Sequence, residues 1–269
     1  MNLKFIDRID IYHFMIFALS LLAAINIVAF NQYNQLGSII SAVIVAALVD
    51  YGANFLRKQT HFPTTAVISA LIIGIVLTAN VWITALAAIV AILSKHIIRF
   101  KGRHIFNPAN FGVLITLLIF NSYQTWWGAT NYVAVIVLGL VIAYKMRRFH
   151  LVISFLAVNF ILTLLETFIL NSDLSAFLSG YLMNGTMLFF VFVMVMEPKT
   201  SPIRRQGRII FAAMAAIFSF FIKIFYPELV FVGALAAANL FVPLLNARLR
   251  PRTQLLKPQE QTTDVNQAR

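Results

Sequence analysis

Ten runs of apolar residues, separated by short polar segments, dominate this sequence. Hydrophobic residues make up 61% of the chain and charged residues 11%, whereas soluble domains contain about 45–50% apolar and about 25% charged residues. Inside a bilayer every backbone N–H and C=O must be paired within the protein, and α-helices achieve this. The sequence therefore predicts an all-α integral membrane protein with about ten transmembrane helices. The runs cover roughly residues 11–30, 37–55, 64–79, 82–98, 108–120, 131–146, 150–169, 178–196, 208–222 and 229–246.

Several runs are shorter than the roughly 20 residues that a straight spanning helix needs. Those helices are expected to be tilted, broken or partly re-entrant. We expect one polytopic domain over residues 1–250, followed by a polar, disordered cytoplasmic tail over 251–269. The first run is too long for the apolar segment of a cleaved signal peptide and has no small-x-small site after it.

The basic residues fall on one side if the runs alternate across a bilayer. Of the 21 Lys and Arg residues, Lys223 is the single one assigned to the opposite side. The positive-inside rule then makes the basic side, and both termini, cytoplasmic. This placement also accounts for the net charge of +12 with the lipid bilayer as partner, so no nucleic acid is expected. The absence of cysteine excludes disulfides and thiolate chemistry, and no Walker or dinucleotide glycine motif is found.

A weak internal repeat recurs at a constant offset of 119 positions (227 − 108). The same offset places the end of the apolar run at Thr78 onto Glu197. Five runs in each half is an odd number, so the second half must enter the membrane in the opposite orientation. We therefore predict two inverted five-helix repeats, about 11–120 and 131–246, with a site between them; chance similarity of apolar sequences is the alternative. The matching pairs are Ile105 and Ile224, Phe106 and Phe225, and Pro108 and Pro227.

Two carboxylates lie within the apolar runs. Asp50 is near the end of the second run, and Glu166 is in the seventh at a position that maps within one helical turn of Asp50. Because ionised groups in a bilayer are costly, both are predicted to form a proton or cation pathway. The alternative for Asp50 is an interfacial position paired with Arg57. Glu166 has no basic residue within two turns of its own helix.

Two polar, basic segments interrupt the apolar runs, one in each half. In residues 197–208, a helix N-terminus beside several arginines could bind an anionic headgroup or a phosphorylated cofactor; an ordinary positive-inside loop is the alternative. In residues 99–112, Asn107 and Pro108 are typical of a break before a short helix. His104 is expected to make an interfacial hydrogen bond, and no metal site is expected.

The loop after the fifth run contains Trp126 and Trp127. Tryptophan at a membrane interface is ordinary, and this placement is the simplest interpretation. Stacking on a flavin is the alternative.

Several of these motifs occur together as a set. The set resembles the RnfD/NqrB family, the membrane subunits of the Rnf and Na⁺-translocating NADH:quinone oxidoreductase complexes. Its most specific part is the block that begins at Glu197, which is similar to the family's Asp-Pro-x-Thr-Ser-Pro. The resemblance implies a ten-helix inverted-repeat fold, a flavin, redox subunits as partners and the bacterial cytoplasmic (inner) membrane as location. The motifs are Phe106-Asn107-Pro108-Ala109, Gly185 ahead of Phe189-Phe190-x-Phe192-x-Met194, Glu197-Pro198-Lys199-Thr200-Ser201-Pro202, and Asn239-x-x-x-Pro243.

The chain departs from that family where FMN is attached. Family members carry a Ser-Gly-Ala-Thr-like sequence whose Thr is esterified to FMN, followed by Gly-Glu-Thr-Ser, whereas here only Gly128-Ala129-Thr130 remains, after Trp127. Thr130 is therefore a weak candidate for covalent FMN, and the flavin, FMN or riboflavin, is expected to bind noncovalently. In this respect the chain is similar to short stand-alone relatives, some labelled as accessory proteins of enediyne biosynthesis.

The leading hypothesis is a subunit of transmembrane electron transport that holds a flavin between its halves, with Na⁺ or H⁺ coupling through Asp50 and Glu166. No catalytic residue is predicted. One alternative is a permease or channel for a small solute, such as a flavin or vitamin, and another is a non-catalytic membrane scaffold. The predicted cofactor-binding residues are Asn107, Pro108, Asn110, Gly185, Glu197, Pro198, Thr200, Ser201 and Arg205.

Overall fold

The structure is a computed structural model that describes residues 9–59, 62–78, 80–120 and 124–248. This part of the chain is almost entirely helical and contains one short antiparallel hairpin, β1 (Arg99–Phe100) and β2 (Arg103–His104). The α-helices are α1 (Ile11–Ala29), α2 (Leu36–Leu56), α3 (Thr64–Val76), α4 (Val81–Ile97), α5 (Pro108–Phe120), α6 (Tyr132–Met146), α7 (Phe149–Ile169), α8 (Leu174–Leu182), α9 (Gly185–Phe189), α10 (Arg205–Phe225) and α11 (Val230–Arg248).

Every predicted apolar run contains at least one helix, but the helices differ in length. Among the described residues, five helical segments are long and apolar enough to cross a membrane, and a sixth span is formed if one bent pair is counted as one. Helices α3, α4, α5 and α6 are apolar but shorter, as expected for tilted or broken segments. The five long segments are Ile11–Ala29, Tyr33–Leu56, Phe149–Ile169, Arg205–Phe225 and Pro227–Arg248.

The predicted single run over 178–196 is wrong in detail, because the structure breaks it. Helix α8 ends at Leu182, and α9 starts at Gly185 with a bend of 42° between the two. Asn184 causes the restart, because its side chain accepts a hydrogen bond from the Met187 backbone N–H at 2.9 Å, which satisfies a free donor of the new helix. Helix α9 then continues as a π-helical turn, Phe190–Val195.

Large apolar side chains cover the outside of the helices. Leu48, Ile153, Phe168 and Leu240 are each at least 60% exposed, while the interior is rich in alanine. Apolar surface on this scale is unusual for a soluble monomer. The protein is therefore a multi-pass membrane protein whose outer surface suits lipid.

The helices pack as two similar halves. The first half consists of α1 to α5, and the second of α6, α7, α9, α10 and α11. Within each half the same two pairs pack extensively, α2 with α4 and α4 with α5 in the first, and α7 with α10 and α10 with α11 in the second. Between the halves, α1 packs against α6 and α5 against α11. Each of these contacts joins equivalent helices, as expected when two repeats are related by a two-fold axis.

Two predicted features lie outside the described residues. These are the tail over 251–269 and the N-terminal basic residues Lys4 and Arg8. Helix α8 has no helical counterpart among the described residues of the first half, where the equivalent positions include the described part of the connection between α2 and α3.

Gly185 lies at a close contact between the second half and the connection that joins the halves. A Cβ at this position would overlap the carbonyl oxygen of Ala129. We predict that Gly185→Ala lowers the free energy of unfolding by about 1–3 kcal/mol, because the added methyl group displaces backbone. Thermal unfolding in detergent micelles measures the change.

Gly180 in α8 provides the matched control. No atom lies within 4 Å of a Cβ built at this position, so Gly180→Ala is expected to stabilise the helix by about 0.5–1 kcal/mol. Equal effects of the two substitutions would contradict the proposed close contact.

Candidate functional site

The two polar, basic segments, one from each half, meet at one end of the molecule. Arg103, in β2, donates hydrogen bonds to the backbone carbonyls of Pro198 (2.8 Å), Lys199 (2.9 Å) and Ser201 (3.2 Å). The hairpin that presents Arg103 turns at Lys101 and Gly102, which both have positive φ. One guanidinium thus satisfies three carbonyls of a loop that has no regular structure of its own.

The loop after the π-helical turn is stabilised by buried side chains. The Thr200 hydroxyl donates to Glu197 Oε2 at 2.9 Å, and Arg148 Nη1 donates to Ser201 Oγ at 2.6 Å. Burial, together with the positive charge of Arg208, lowers the pKa of the Arg148 guanidinium to about 10, so Arg148 stays charged at neutral pH. Thr200 and Ser201 therefore support the loop with hydroxyls that are already bonded.

Asparagine side chains join the halves beneath this loop. Asn239 in α11 accepts a hydrogen bond from the Asn107 backbone N–H at 3.2 Å and donates to the Thr200 carbonyl at 3.1 Å. Asn110 donates to the Val232 carbonyl at 2.8 Å. Asn107 also caps α5, because its Oδ1 accepts from the Asn110 backbone N–H at 3.0 Å. Asn107 and Asn110 thus hold α5 against α11.

A cavity of about 80 Å³ opens beside this junction. It lies between the two halves, as the repeat predicted. Four of the predicted site residues line it: Asn107, Pro108, Glu197 and Pro198. The other lining residues are Ile11, Tyr12, Met15, Thr65, Ile68, Ser69, Ile72, Lys95, His104, Met146, Val193 and Lys199.

The cavity has polar groups at its wall and apolar side chains over most of its surface. His104 is buried, and its Nε2 lies 3.5 Å from Glu197 Oε1 without a hydrogen-bond partner among the described residues. Lys95 reaches the cavity from α4 and donates to Thr65 Oγ1 at 2.9 Å. A ligand with an apolar body and a polar edge suits such a wall.

Asp50 is paired differently from the predicted alternative. The Arg57 pairing is wrong: the Asp50 carboxylate is buried and lies 2.8 Å from Lys95 Nζ and 2.9 Å from His96 Nε2. Arg57 instead donates to the His96 carbonyl at 3.0 Å. Because Lys95 contacts Asp50 and also lines the cavity, the Lys95 side chain connects the Asp50 carboxylate with the cavity.

Glu166 has a basic partner from another helix. Lys223 in α10 donates to both carboxylate oxygens, at 2.7 and 2.9 Å. This pair is more exposed than the Asp50 pair, with 24% of the Glu166 side chain and 48% of the Lys223 side chain accessible. Each pair joins the C-terminal parts of equivalent helices, α2 with α4 and α7 with α10.

Other predicted site residues lie away from the cavity. Asn110 is buried at the α5–α11 contact, and Gly185 packs on the connection between halves. Arg205 is exposed in a separate groove. Thr130 donates to the Trp127 carbonyl at 2.8 Å and lies near the start of α6, about 22 Å along that helix from the cavity at Met146.

The interfacial placement of the tryptophans is wrong. Trp126 and Trp127 are 5% and 4% exposed. Trp126 contacts Phe189 and Phe231 edge-on, and the Trp127 indole N–H donates to the Gly74 carbonyl at 2.8 Å. Both rings pack in the protein interior where the halves are connected.

Sequence reasoning missed four residues that build the site. Lys95 and Arg103 were counted only as topology charges, and Thr65 and Asn239 were not assigned a role. A signal was present for Lys95, which lies within the polar end of an apolar run, 45 residues from Asp50. The sequence did not show that α2 and α4 are neighbours.

The fold and site define a multi-pass membrane protein of two similar halves with a largely apolar cavity, edged by polar groups, at their junction. The chain belongs to the NQR2, RnfD, RnfE family, whose sequence model matches residues 6–133 and 124–254, one segment in each half.

Its relatives include the RnfD subunit of the ion-translocating oxidoreductase complex. The RnfD protein from Shigella dysenteriae serotype 1 (strain Sd197) is 24% identical over 328 aligned positions, which cover 88% of this chain and 93% of the relative. The Escherichia coli O81 (strain ED1a) protein gives the same figures. The alignments are longer than the 269-residue chain, so these relatives contain insertions that it lacks.

The two carboxylate–lysine pairs should lose different amounts of stability when their carboxylate is replaced by the neutral amide. Asp50→Asn leaves the Lys95 ammonium without its buried counter-charge and should lower the free energy of unfolding by about 3–5 kcal/mol. Glu166→Gln breaks a partly exposed pair and should cost about 0–1 kcal/mol. Chemical denaturation of both variants in detergent measures the difference.

The double variant Asp50→Asn, Lys95→Met serves as the control. It removes both charges, so we expect it to recover part of the stability lost in Asp50→Asn. Equal losses for Asp50→Asn and Glu166→Gln would contradict the described difference in burial.

Proposed function

We propose that this protein is an electron-transport subunit of an ion-translocating oxidoreductase complex, with a noncovalent flavin in the cavity between its halves. The observation that carries the proposal is the inter-half cavity, largely apolar with polar groups at its wall, in a chain whose relatives are named as subunits of such a complex. The same names favour redox subunits as partners and a bacterial inner-membrane location. No observation in the described structure favours a solute permease.

The chemistry of the cavity wall suits the polar edge of an isoalloxazine ring. His104 Nε2 is a buried nitrogen without a partner among the described residues, and Lys95 and Asn107 add N–H donors on the same wall. Ile72 and Val193 provide apolar surface for the ring faces. The side chains that line the cavity therefore have the chemical character that a flavin site needs.

The cavity must widen to admit the complete ring system. Its volume of about 80 Å³ is below the roughly 300 Å³ that pockets for organic ligands have. At its mouth Lys199 Nζ lies 6.0 Å from the ring centre of Tyr12, and an exposed cation–π contact of this kind contributes only about 0.5–1 kcal/mol. Moving these two side chains apart would therefore open the cavity at a small cost in free energy.

In this proposal the protein positions the flavin and sets its electrostatic surroundings. A bound flavin supplies the capacity to accept and donate electrons. Lys95 and His104 would donate hydrogen bonds to the polar edge, and the positive charge of Lys95 would favour added negative charge in the cavity. Glu197, held by Thr200, would keep a carboxylate close to His104. The apolar walls exclude water, which strengthens these interactions.

We also propose that the two ion pairs mark the two ends of a cation pathway. Asp50, with Lys95, lies at the cavity end of the helices, whereas Glu166 and Lys223 lie near the C-terminal ends of α7 and α10. Carboxylates in membrane helices that face partners from other helices are sites where protons or Na⁺ can exchange. Coupling to electron transfer would act through Lys95, which contacts both Asp50 and the cavity.

The proposal includes ten membrane segments in two inverted repeats with cytoplasmic termini. Equivalent helices support it, because the first turn of α1 and the last turn of α6 line the same cavity, as do the first turn of α3 and Val193 after α9. When the start of one helix and the end of its equivalent line the same cavity, the two helices run in opposite directions. The basic residues at the cavity end favour a cytoplasmic location for that end.

The first test is the absorbance of the detergent-purified protein, before and after acid precipitation. We expect flavin bands that move to the supernatant, because the flavin is not covalently bound, and that are unchanged in Thr130→Ala. Ser69→Leu should reduce the flavin content several-fold by filling the cavity that Ser69 lines.

Ser179→Leu is the matched control for this substitution. Ser179 is exposed in α8 and, like Ser69, its hydroxyl bonds a carbonyl of its own helix, so flavin content should not change. A colourless protein that also fails to bind added FMN and riboflavin would overturn the proposal. Equal flavin in Ser69→Leu and wild type would place the flavin elsewhere.

Topology is tested with single cysteines, since the chain has none. Lys58→Cys and Ser172→Cys follow the equivalent helices α2 and α7. If the repeats are inverted, a membrane-impermeant thiol reagent applied to intact spheroplasts should label the second and not the first. Labelling of both from the same side would show parallel repeats and contradict this part of the proposal.

A further inference from the structure

A second concave surface lies at the same end of the molecule as the cavity and is built from the second half alone. It is an open groove of about 660 Å³ between the end of α6 and the starts of α7 and α10. We call it the basic groove and define it by its four basic side chains, Arg147, His150, Arg205 and Arg208. The described residues that line it include no carboxylate.

The basic groove contains hydrogen-bond donors that the protein leaves unused. His150 Nε2 and Arg208 Nε are both buried and have no partner among the described residues. Burial of a polar group without a partner costs about 1–3 kcal/mol. The charged groups that act on His150 among the described residues are Arg208, Arg205 and Arg148, all of them positive.

Two helix N-termini add to the positive potential. Helix α7 begins after Arg148 and α10 after Arg204, and neither cap residue provides a side-chain hydrogen bond to the free N–H groups of the first turn. The N-terminal ends of helices attract anions because their unpaired N–H groups and dipoles are positive. Both ends border the same groove as the four basic side chains.

Apolar side chains connect the groove with the outer surface of the helices. Phe149 and Ile153 line it and are 38% and 64% exposed, and Ile153 lies on the lipid-suited face of α7. A ligand that satisfies both parts is anionic at one end and apolar at the other. A free inorganic anion would leave the apolar wall unused.

We propose that the basic groove binds the phosphate of an anionic phospholipid headgroup, with an acyl chain along Phe149 and Ile153. The position agrees with this occupant, because basic pockets between membrane helices on the cytoplasmic side are suited to anionic lipids. Bound lipid would neutralise the cluster and stabilise the contact between α7 and α10, where Ser154 donates to the Ile209 carbonyl at 2.8 Å. This inference does not depend on the proposed flavin.

The experiment measures thermal unfolding of the full chain in detergent micelles as dioleoyl phosphatidylglycerol is titrated in. Wild-type protein should be stabilised with saturation at low lipid content, whereas Arg205→Gln, Arg208→Gln should need about 30-fold more lipid, because each of the two basic residues contributes about 1 kcal/mol to attraction. Arg205→Gln alone, at an exposed position, should show a smaller shift in the same direction if the double variant folds poorly.

The control variant is Arg204→Gln, Arg248→Gln, which removes the same charge from exposed positions outside the groove. It should bind the lipid within about twofold of wild type. Dioleoyl phosphatidylcholine and inorganic phosphate are titrated in parallel and should have no saturable effect.

Three outcomes would overturn the proposal. Equal loss of lipid binding in the groove and control variants would show general attraction of an anionic surface. Equal stabilisation by phosphatidylcholine would show that the headgroup charge is not recognised. Stabilisation by inorganic phosphate alone, to the same extent as by phosphatidylglycerol, would show that the occupant is a soluble phosphate.

Discussion

The structure depends on pairing backbone groups where helices stop inside an apolar protein. Where water is excluded, each unsatisfied carbonyl or N–H costs several kcal/mol. Arg103 meets this requirement for the loop after Val195, and Asn107 and Asn239 meet it where α5 begins. Because the Arg103 bonds and the Asn107–Asn239 bond cross between the halves, contacts that satisfy the loops also fix how the halves fit together. The cavity exists where this polar scaffold meets the apolar walls of α1 and α3.

This requirement explains why so many polar residues near the cavity do not face it. Thr200, Ser201 and Asn110 have the side-chain chemistry of ligand-binding groups, but the hydroxyls and the Asn110 amide N–H are used for loop and helix support. The residues with unused or shared donors are His104 and Lys95. In a junction of this kind the support residues outnumber the groups left for a ligand.

The sequence predicted the helices well and the contacts between helices poorly. Apolar runs and asparagine–proline breaks are local signals, so the boundaries of α5 agree at both ends and those of α2 agree within one residue. The partners of Asp50 and Glu166 come from helices 45 and 57 residues further along the chain, and neither distance is encoded by helical periodicity. The tryptophans were misplaced for a related reason: an aromatic residue in a connecting loop suits both a membrane interface and a buried contact. The contacts of Trp126 with Phe189 and Phe231 distinguish the buried position from the interfacial one.

The position of Lys95 has a consequence for how charge can be shared across the cavity wall. An ammonium group has three N–H bonds, and two of those of Lys95 are directed to Asp50 and Thr65. The third remains for the cavity, so an occupant can be hydrogen-bonded without breaking the ion pair. Lys95 can then interact with the Asp50 carboxylate and with a ligand in the cavity at the same time. A unit negative charge about 5 Å from the Lys95 ammonium attracts it by about 3 kcal/mol at an effective dielectric constant of 20, and this attraction competes with that of Asp50.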